Sequence, residues 1–289
     1  MRSPRRAMHR VRTVRALRAA LAPWRARGEG VALVPTMGAI HDGHLSLVRR
    51  ARASADRVVA TIFVNPLQFG PTEDFARYPR PVRRDRALFA AAGVDLLWEP
   101  TIAEIYPPGD RTRVRVSTLT DTLEGRVRPG HFEGVTTVVM RLLHAVQPDV
   151  LWLGQKDAQQ AAVLERMCAD LLVPVRVRRA PTVRDRDGLA LSSRNAYLGA
   201  AERAQAVALW RGLQAARARL AAGERSAARV VAAVRGVLRQ HPLVREDYVA
   251  VVDAATLEPL RTVRGRVLVA VAARVGSARL IDNLEWSAR

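Results

Sequence analysis

The chain has 289 residues, of which 49% are hydrophobic and 5% aromatic, and a formal net charge of +20. This composition suits a folded core rather than a disordered chain, and the length favours one large core with a smaller second one. The apolar runs are shorter than the roughly 20 residues needed to cross a bilayer, so we expect no membrane span.

The positive charge raises the question of a nucleic-acid partner, since clustered Lys and Arg neutralise phosphates. Here the basic residues are spread along the whole chain. No basic tail, zinc-finger spacing, helix-turn-helix signature or aromatic interleaving accompanies them. We therefore expect no nucleic-acid partner and interpret the charge as a preference for arginine, whose field also attracts small anionic substrates.

Two features bear on the compartment. Residues 1–27 contain many arginines and no acid, a composition also typical of a mitochondrial transit peptide. However, Val14, Leu17 and Leu21 form an apolar helical stripe that runs into the first predicted strand, which favours a packed helix. Cys168 is the only cysteine, lies in an apolar helical pattern and is predicted to be buried. The absence of any disulfide framework is typical of a reducing cytoplasm, where we expect the protein.

The first part of the chain alternates predicted strands with predicted helices. This alternation implies right-handed crossovers and a parallel sheet covered on both faces. The predicted fold class is α/β, with a Rossmann-like doubly wound domain over residues 1–182. The predicted strands are 31–37, 58–64, 95–98, 150–153 and 174–178, and the predicted helices cover 45–51, 83–92, 135–146 and 158–172.

After residue 182 the pattern changes. Two long helical stretches rich in Ala and Arg, 200–222 and 226–240, are followed by strand-like runs at 248–252 and 266–273. We interpret residues 183–289 as a small α+β C-terminal domain.

A histidine motif follows the first predicted strand. His41 and His44 are three residues apart, so at a helix start they share one face, at the sheet edge where doubly wound folds bind ligands. Imidazoles and backbone N–H groups there suit phosphate oxygens, and Gly38 and Gly43 allow close approach. Zinc and a purely structural role remain alternatives, although Asp42 stands where a zinc protease has Glu and the histidine spacing is one residue short. The spacing favours a nucleotide phosphate site.

Lys156 is the only lysine, and every other basic residue is an arginine. It lies in the segment Gly154, Gln155, Lys156, Asp157, just after a predicted strand. A compact, flexible ammonium differs from the planar guanidinium that the chain uses elsewhere. The functional interpretation is a charge clamp, and the alternative is an accident of codon usage.

A third polar segment, Leu191, Ser192, Ser193, Arg194 and Asn195, supplies hydroxyls and a guanidinium on a predicted loop. By itself it is no more than a solvated turn. Together with the histidine pair it provides what adenylate formation needs, because Lys156 and Arg194 would offset charge on departing pyrophosphate. Neither a nucleophile elbow nor a Walker A loop occurs in the sequence, which argues against serine hydrolysis and P-loop phosphoryl transfer.

Five segments, in order and over most of the chain, resemble the signature blocks of the pantothenate synthetase family. That resemblance implies an ATP-dependent ligase that condenses pantoate with β-alanine through pantoyl adenylate, releasing AMP and pyrophosphate. It also implies kinship with the HxGH nucleotidyl transferases and class I aminoacyl-tRNA synthetases. The segments are PTMGAIHDGH, FVNPLQFGPTEDFARYPR, EGRVRPGHFEGVTTVV, QPDVLWLGQKDAQQ and DGLALSSRNAYL.

The resemblance also implies roles for individual residues. His44 matches the residue described as the family's catalytic acid, and Gln68 and Gln160 match the amides that hold pantoate, with Asn65 close to the first. Residues 124–134 would cover the substrates as a flap that excludes water. We expect catalytic roles for His41, His44, Lys156 and Arg194. The implied ATP-binding residues are Met37, Gly38, Ala39, Ile40, His41, Asp42, Gly43, His44, Gly154, Gln155, Lys156, Asp157, Val183, Leu191, Ser192, Ser193 and Arg194.

One departure from the family concerns magnesium. Several acids often follow the Tyr-Pro-Arg of this family, whereas here Arg83 and Arg84 precede a lone Asp85. Asp85 is the expected Mg²⁺ contact, and the alternative is a helix cap. ATP chemistry needs the ion on its phosphates in either case. Ile40 replaces the more usual Leu, a volume-conserving change without expected consequence.

Two alternative functions belong to different classes. A nucleotidyl transferase of the same superfamily would need extra cations where Gln68 and Gln160 stand. A basic RNA-binding module related to the synthetases would need a further domain, for which the residues after the core do not suffice. We therefore expect a ligase whose partners are pantoate, β-alanine and ATP, and the family resemblance further suggests a homodimer.

Overall fold

The computed structural model describes residues 7–288. Residues 1–6 of the arginine-rich N-terminal stretch lie outside the described residues, and so does residue 289. The described chain forms two compact units. The N-terminal unit comprises the residues up to Ser117 together with Arg128–Gln155 and Val163–Pro181, and the C-terminal unit comprises Thr118–Val127, Lys156–Ala162 and the residues from Thr182 onward.

The N-terminal unit is built on a parallel sheet, which among the described residues has six strands in the order β1-β4-β3-β2-β5-β6. Because β2 pairs with β3 on one side and β5 on the other, the strand order reverses direction between β2 and β5. Doubly wound sheets bind ligands at such a switch point, outside the carboxyl ends of the strands. The strands are β1 (His9–Val11), β2 (Val31–Thr36), β3 (Arg57–Ile62), β4 (Leu96–Trp98), β5 (Val150–Gly154) and β6 (Arg176–Ala180).

Helices connect these strands and bury their apolar faces. In the first helix, Leu17 and Leu21 are fully buried, which confirms the predicted core-facing stripe. Cys168 is 4% exposed, and its predicted burial is also confirmed. The helices up to residue 170 are α1 (Val14–Ala26), α2 (Asp42–Ser54), α3 (Val82–Ala92), α4 (Ile102–Ile105), α5 (Leu123–Val127), α6 (His131–Val146) and α7 (Ala158–Asp170).

The C-terminal unit contains an antiparallel sheet in the order β7-β8-β9 over the described chain. Val230 and Val234 are fully buried in its core, as are alternate residues of the central strand, Val267, Val269 and Val271. The intervening residues Leu268, Ala270 and Ala272 are buried as well, in a second apolar cluster, so both faces of the central strand are covered. The elements are α8 (Ala200–Ala206), α9 (Ala208–Ala221), α10 (Ala227–Leu238), β7 (Val244–Asp253), β8 (Arg266–Val275) and β9 (Ala278–Ser287).

The predicted fold class is confirmed: a Rossmann-like parallel sheet and a smaller α+β part. The predicted single helix over 200–222 is wrong in detail, because Val207 ends α8 and begins α9. Strand β9 is not predicted from the sequence, because Asp282, Asn283 and Glu285 interrupt its apolar pattern. The division into domains 1–182 and 183–289 stays a prediction. No helix between residues 7 and 288 is long and apolar enough to cross a membrane.

Candidate active site

The turn after β2 has a strained backbone held by a buried carboxylate. Gly38 and Ala39 both adopt positive φ angles, 87° and 51°, a conformation that is uncommon for a residue with a Cβ. Asp85, in the first turn of α3, accepts bonds of 2.8 Å from the backbone N–H groups of Ala39 and Ile40, one on each carboxylate oxygen. Asp85 is 0% exposed. The turn is therefore fixed from a distant helix.

The histidine pair caps the helix that follows this turn. Nδ1 of His41 accepts the N–H of Gly43 at 3.2 Å, and Nδ1 of His44 accepts the N–H of His41 at 3.4 Å, a reciprocal capping box. The two ring centroids lie 4.0 Å apart. Because a neutral imidazole that accepts through Nδ1 carries its proton on Nε2, both rings present an Nε2–H donor. Capping thus sets the tautomer that an oxyanion would need.

The surroundings of Asp85 bear on its expected role as a magnesium ligand. Mg²⁺ demands near-octahedral oxygen ligands and retains several waters, whereas both oxygens of this buried carboxylate are directed at backbone N–H groups. Within residues 7–288, no group of three or more His, Cys, Asp or Glu side chains could hold a metal ion. In this conformation Asp85 does not fit a direct Mg²⁺ contact, which stays a prediction of the sequence.

Asn65 and Gln68 follow β3 and contact each other. Nδ2 of Asn65 donates to Oε1 of Gln68 at 3.1 Å, and Nε2 of Gln68 lies 3.1 Å from Sδ of Met37. Asn65 is 1% exposed; it also donates to Gly134 O at 3.0 Å and accepts from Tyr106 Oη at 2.6 Å. Asn65 is thus a buried support that orients the more accessible amide of Gln68 beside the β2 turn.

The backbone of Gln68 is held by the start of α6. His131 Nδ1 lies 2.8 Å from the carbonyl oxygen of Gln68, and Arg128 donates to the same oxygen at 3.2 Å. Arg128 also forms a two-pronged ion pair with Glu73, with both distances 2.7 Å. Burial acts to raise the pKa of Glu73, but the hydrogen bonds and positive charge of Arg128 together outweigh it, so the pKa is lowered. A Cβ on Gly134 would overlap the backbone of Leu67, so α6 can approach this closely only at glycine.

In the C-terminal unit, Lys156 is the middle residue of a short 3₁₀ turn, Gln155–Asp157, and Gln160 lies in the first turn of α7. Nζ of Lys156 is 3.3 Å from Oδ1 of Asp157, and its carbonyl accepts Nδ2 of Asn283 at 2.8 Å. Gln160 is half-buried, whereas its neighbour Gln159 is buried. Gln159 binds the backbone of Leu119, Thr122 and Glu124. Gln159 is therefore a structural support, whereas the side chain of Gln160 is more accessible to solvent.

Val183 and Leu191 are brought together by a tight hairpin. Leu191 N–H donates to Val183 O at 3.0 Å, and Arg184 and Ala190 form an antiparallel bridge. Ser192 then caps the 3₁₀ turn Ser193–Tyr197 by accepting the N–H of Arg194 at 3.3 Å. Val183, which the family resemblance implies binds the adenine of ATP, and the serine-arginine segment thus belong to one structural element, the 183–194 hairpin.

A scan against family models matches residues 9–285 to the pantoate-beta-alanine ligase model. The chain belongs to the pantoate-beta-alanine ligase family. It is 52% identical over 277 residues to the pantothenate synthetase of Moorella thermoacetica, covering 96% of this chain and 98% of that protein. The activity of the family is the ATP-dependent condensation of pantoate with β-alanine, so the chain is an enzyme of the ligase class.

Solved structures of this ligase family share the fold. The pantothenate synthetase of Thermus thermophilus superposes with a TM-score of 0.92 at 52% identity, covering 96% of this chain and 99% of that one. The pantoate-beta-alanine ligase of Francisella tularensis, complexed with beta-gamma ATP and beta-alanine, gives a TM-score of 0.80 at 29% identity, covering 96% and 97%. These relatives favour the ligase over the alternative nucleotidyl transferase.

Within the N-terminal unit of the ligase, the structure brings together most of the residues predicted from the sequence. Residues 37–44 end β2 and residues 154–155 end the paired strand β5, so both segments lie at the switch point. The predicted flap over 124–134 is largely helical, formed by α5, a turn and the start of α6. Its placement over substrates stays a prediction.

Several supporting residues were missed by sequence reasoning. Asp85 was considered as a metal contact or a cap of its own helix, not as the anchor of a distant turn. His131 and Arg128 are predicted only as part of the 124–134 flap, not as supports of the Gln68 backbone. Asp282 and Asn283 carry no local signal, because a pair of adjacent polar residues in a strand is equally typical of an exposed sheet edge.

Proposed function

We propose that the ligase joins its substrates in two steps on the carboxyl edge of the parallel sheet. The carboxylate oxygen of pantoate attacks the α-phosphorus of ATP, an acyl–phosphate bond forms, and the bond to pyrophosphate breaks. The amine of β-alanine then attacks the acyl carbon, loses a proton, and AMP leaves as the amide forms. ATP as substrate is supported by the complex of the Francisella relative.

The observation that carries this proposal is the contact between Met37 and Gln68. One belongs to the nucleotide segment after β2 and the other to the acid-binding segment after β3. Their side chains meet at 3.1 Å, at the edge where adjacent parallel strands end. An acid held by Gln68 would thus lie next to a nucleotide held by residues 37–44, which is the proximity that adenylate formation needs.

Each proposed role follows from the chemistry of the group. The Nε2–H donors of His41 and His44 would bind phosphate oxygens as charge develops in the transition state. Lys156 and Arg194 would offset the charge of departing pyrophosphate, with Ser192 and Ser193 as further donors. The neutral amides Gln68 and Gln160 would bind the hydroxyls and carboxylate of pantoate without adding charge.

Magnesium would be held chiefly by the phosphates of ATP, where it neutralises charge when bound. The direct contacts proposed for Val183 with adenine and for Asn65 with pantoate rest on the family resemblance. A cytoplasmic homodimer is proposed on the same ground. Light scattering after gel filtration measures the assembly: a mass near that of one chain, 31.8 kDa, would contradict the dimer.

The decisive experiment is isotope exchange between pyrophosphate and ATP with pantoate present and β-alanine omitted. Exchange that depends on pantoate shows a reversible adenylate step. If the enzyme synthesises the amide but catalyses no pyrophosphate exchange under these conditions, the two-step route is wrong. A parallel reaction with β-alanine and no pantoate is the control and should show no exchange.

A further inference from the structure

Strand β9 places two adjacent polar side chains against two segments of the C-terminal unit that are predicted to bind ATP. These segments are the turn that carries Lys156 and the 183–194 hairpin. Asn283 of β9 donates through Nδ2 to the carbonyl of Lys156 at 2.8 Å. Asp282, its neighbour, accepts two bonds from the guanidinium of Arg184, at 2.5 and 2.9 Å. Asn283 is 8% exposed and Asp282 is 3% exposed. One short stretch of strand therefore contacts the Lys156 turn and the base of the 183–194 hairpin.

Arg184 is held on several sides, so its contact with Asp282 fixes the hairpin. Its guanidinium lies 3.8 Å above the ring of Trp210, and Nη1 donates to the carbonyl of Gly188 at 3.1 Å. A Cβ on Gly188, whose φ is +97°, would overlap that indole. Stacking and a two-pronged ion pair together restrict a guanidinium more than either does alone.

The charge arrangement ties Lys156 to the same carboxylate. Burial raises the pKa of Asp282, and the positive charges of Arg184 and Lys156 act in the opposite direction. One buried carboxylate thus faces two cations. It lowers the repulsion between the two cations while no anionic ligand is bound.

We propose that Asp282 and Asn283 are positioning residues for adenylate formation. Asn283 fixes the main chain from which the Lys156 ammonium extends, and Asp282 acts through Arg184 on the 183–194 hairpin. The inference rests on the proposed function, in which Lys156 and this hairpin bind ATP. Both residues act through these partners.

The first test removes the Nδ2 donor of Asn283 by a substitution that keeps the size and shape of the side chain. Asn283→Asp should lower the rate of pyrophosphate exchange at least tenfold and leave the Michaelis constant for pantoate within twofold. Reaction of supplied pantoyl adenylate with β-alanine should stay within about threefold of wild type, because that step no longer involves pyrophosphate. The matched control is Gln205→Ala, which removes the side-chain oxygen that accepts a hydrogen bond of 2.9 Å from the backbone N–H of Leu243 in the same unit. It should leave exchange within twofold of wild type.

A double-mutant cycle separates positioning from general stabilisation. If Asn283 acts through Lys156, Asn283→Asp should change the residual exchange rate by less than twofold in a Lys156→Ala background. The inference would be overturned if Asn283→Asp slowed exchange in the Lys156→Ala background as much as it does in the wild-type background. It would also be overturned if the variant slowed exchange and the reaction of pantoyl adenylate with β-alanine equally.

The second arm tests Asp282 even if substitution of Asn283 impairs folding. Arg184→Lys keeps the positive charge but removes the two-pronged contact and the stacking. It should raise the Michaelis constant for ATP about tenfold while that for pantoate stays within twofold. Unchanged ATP dependence would overturn this part. Wild-type protein without pantoate-dependent exchange would instead refute the proposed function itself.

Discussion

The carboxylate of Asp85 accepts a hydrogen bond of 2.8 Å from the backbone N–H of Ile40, one residue before the histidine pair. Its second oxygen binds the N–H of Ala39, whose φ is positive. A buried acceptor that satisfies two consecutive N–H groups stabilises a turn which the local backbone disfavours. The position of the phosphate-facing histidines thus depends on a residue of another helix.

Substitution of Asp85 should disturb the turn after β2 and leave the magnesium dependence of the rate unchanged. Asp85→Asn keeps one acceptor and directs an NH₂ group at the other backbone N–H, leaving a buried donor unsatisfied at a cost of about 1–3 kcal/mol. We expect pyrophosphate exchange to fall roughly tenfold or more. The magnesium concentration for half-maximal rate should remain within twofold of wild type. A several-fold rise in that concentration would instead support a direct magnesium contact.

His44→Ala should lower pyrophosphate exchange by roughly 10²–10³, the usual effect of removing one preorganised donor in the transition state. The fold should persist, as measured by circular dichroism. His144, exposed in the last turn of α6, offers a matched control, and His144→Ala should retain wild-type exchange. Wild-type exchange in the His44 variant would refute its assigned role.

Substitution of Gln160 should change substrate binding, whereas substitution of its neighbour Gln159 should change the stability of the fold. Gln160→Ala should raise the Michaelis constant for pantoate far more than that for ATP, because its proposed contacts are with the acid. Gln159→Ala should chiefly lower the free energy of unfolding, by about 1–3 kcal/mol, because three backbone groups lose their partner. Steady-state kinetics and denaturant titration of both variants measure the difference. Equal effects of Gln160→Ala on both substrates would count against the assignment.

Lys156 should act in the first half-reaction. Lys156→Ala should abolish most exchange, while supplied pantoyl adenylate, which lacks the β- and γ-phosphates, should still react with β-alanine. Lys156→Arg keeps the charge but broadens the head group, and we expect a loss of at least about tenfold, or ~1.4 kcal/mol. An arginine variant with full activity would show that charge alone suffices.

Cys168 should react slowly in the folded protein. Burial raises the pKa of its thiol from 9.0 to about 11, so the thiolate fraction at pH 8 is about a hundredfold lower than for an ordinary cysteine. Alkylation by iodoacetamide should be at least that much slower than in denatured protein. Because the unfolded thiol loses its proton first, this group's contribution to stability should decline as pH rises from 9.0 toward 11. Similar rates in folded and denatured protein would contradict the burial.

The strand and helix pattern around the histidine motif was predictable because it depends on neighbours in the chain. The apolar run before Gly38 must form a buried strand, and the spacing of His41 and His44 places both at one helix start. The same local logic placed Lys156 after a strand. It failed at Val207, where the sequence predicts one continuous helix and the structure has two helices that meet.

The sequence by itself determined that strands and helices alternate in the first part of the chain, which apolar runs form the core and which polar segments follow the strands. Only the tertiary structure decided which groups hold those segments in place. Asp85 contacts a turn 45 residues away, Arg184 pairs with Asp282 across 98 residues, and Asn283 reaches Lys156 across 127. Side-chain periodicity reports the face of an element on which a residue lies. The partner of a buried polar group is set by the packing of distant elements, since its desolvation must be compensated wherever the folded chain brings a donor or acceptor.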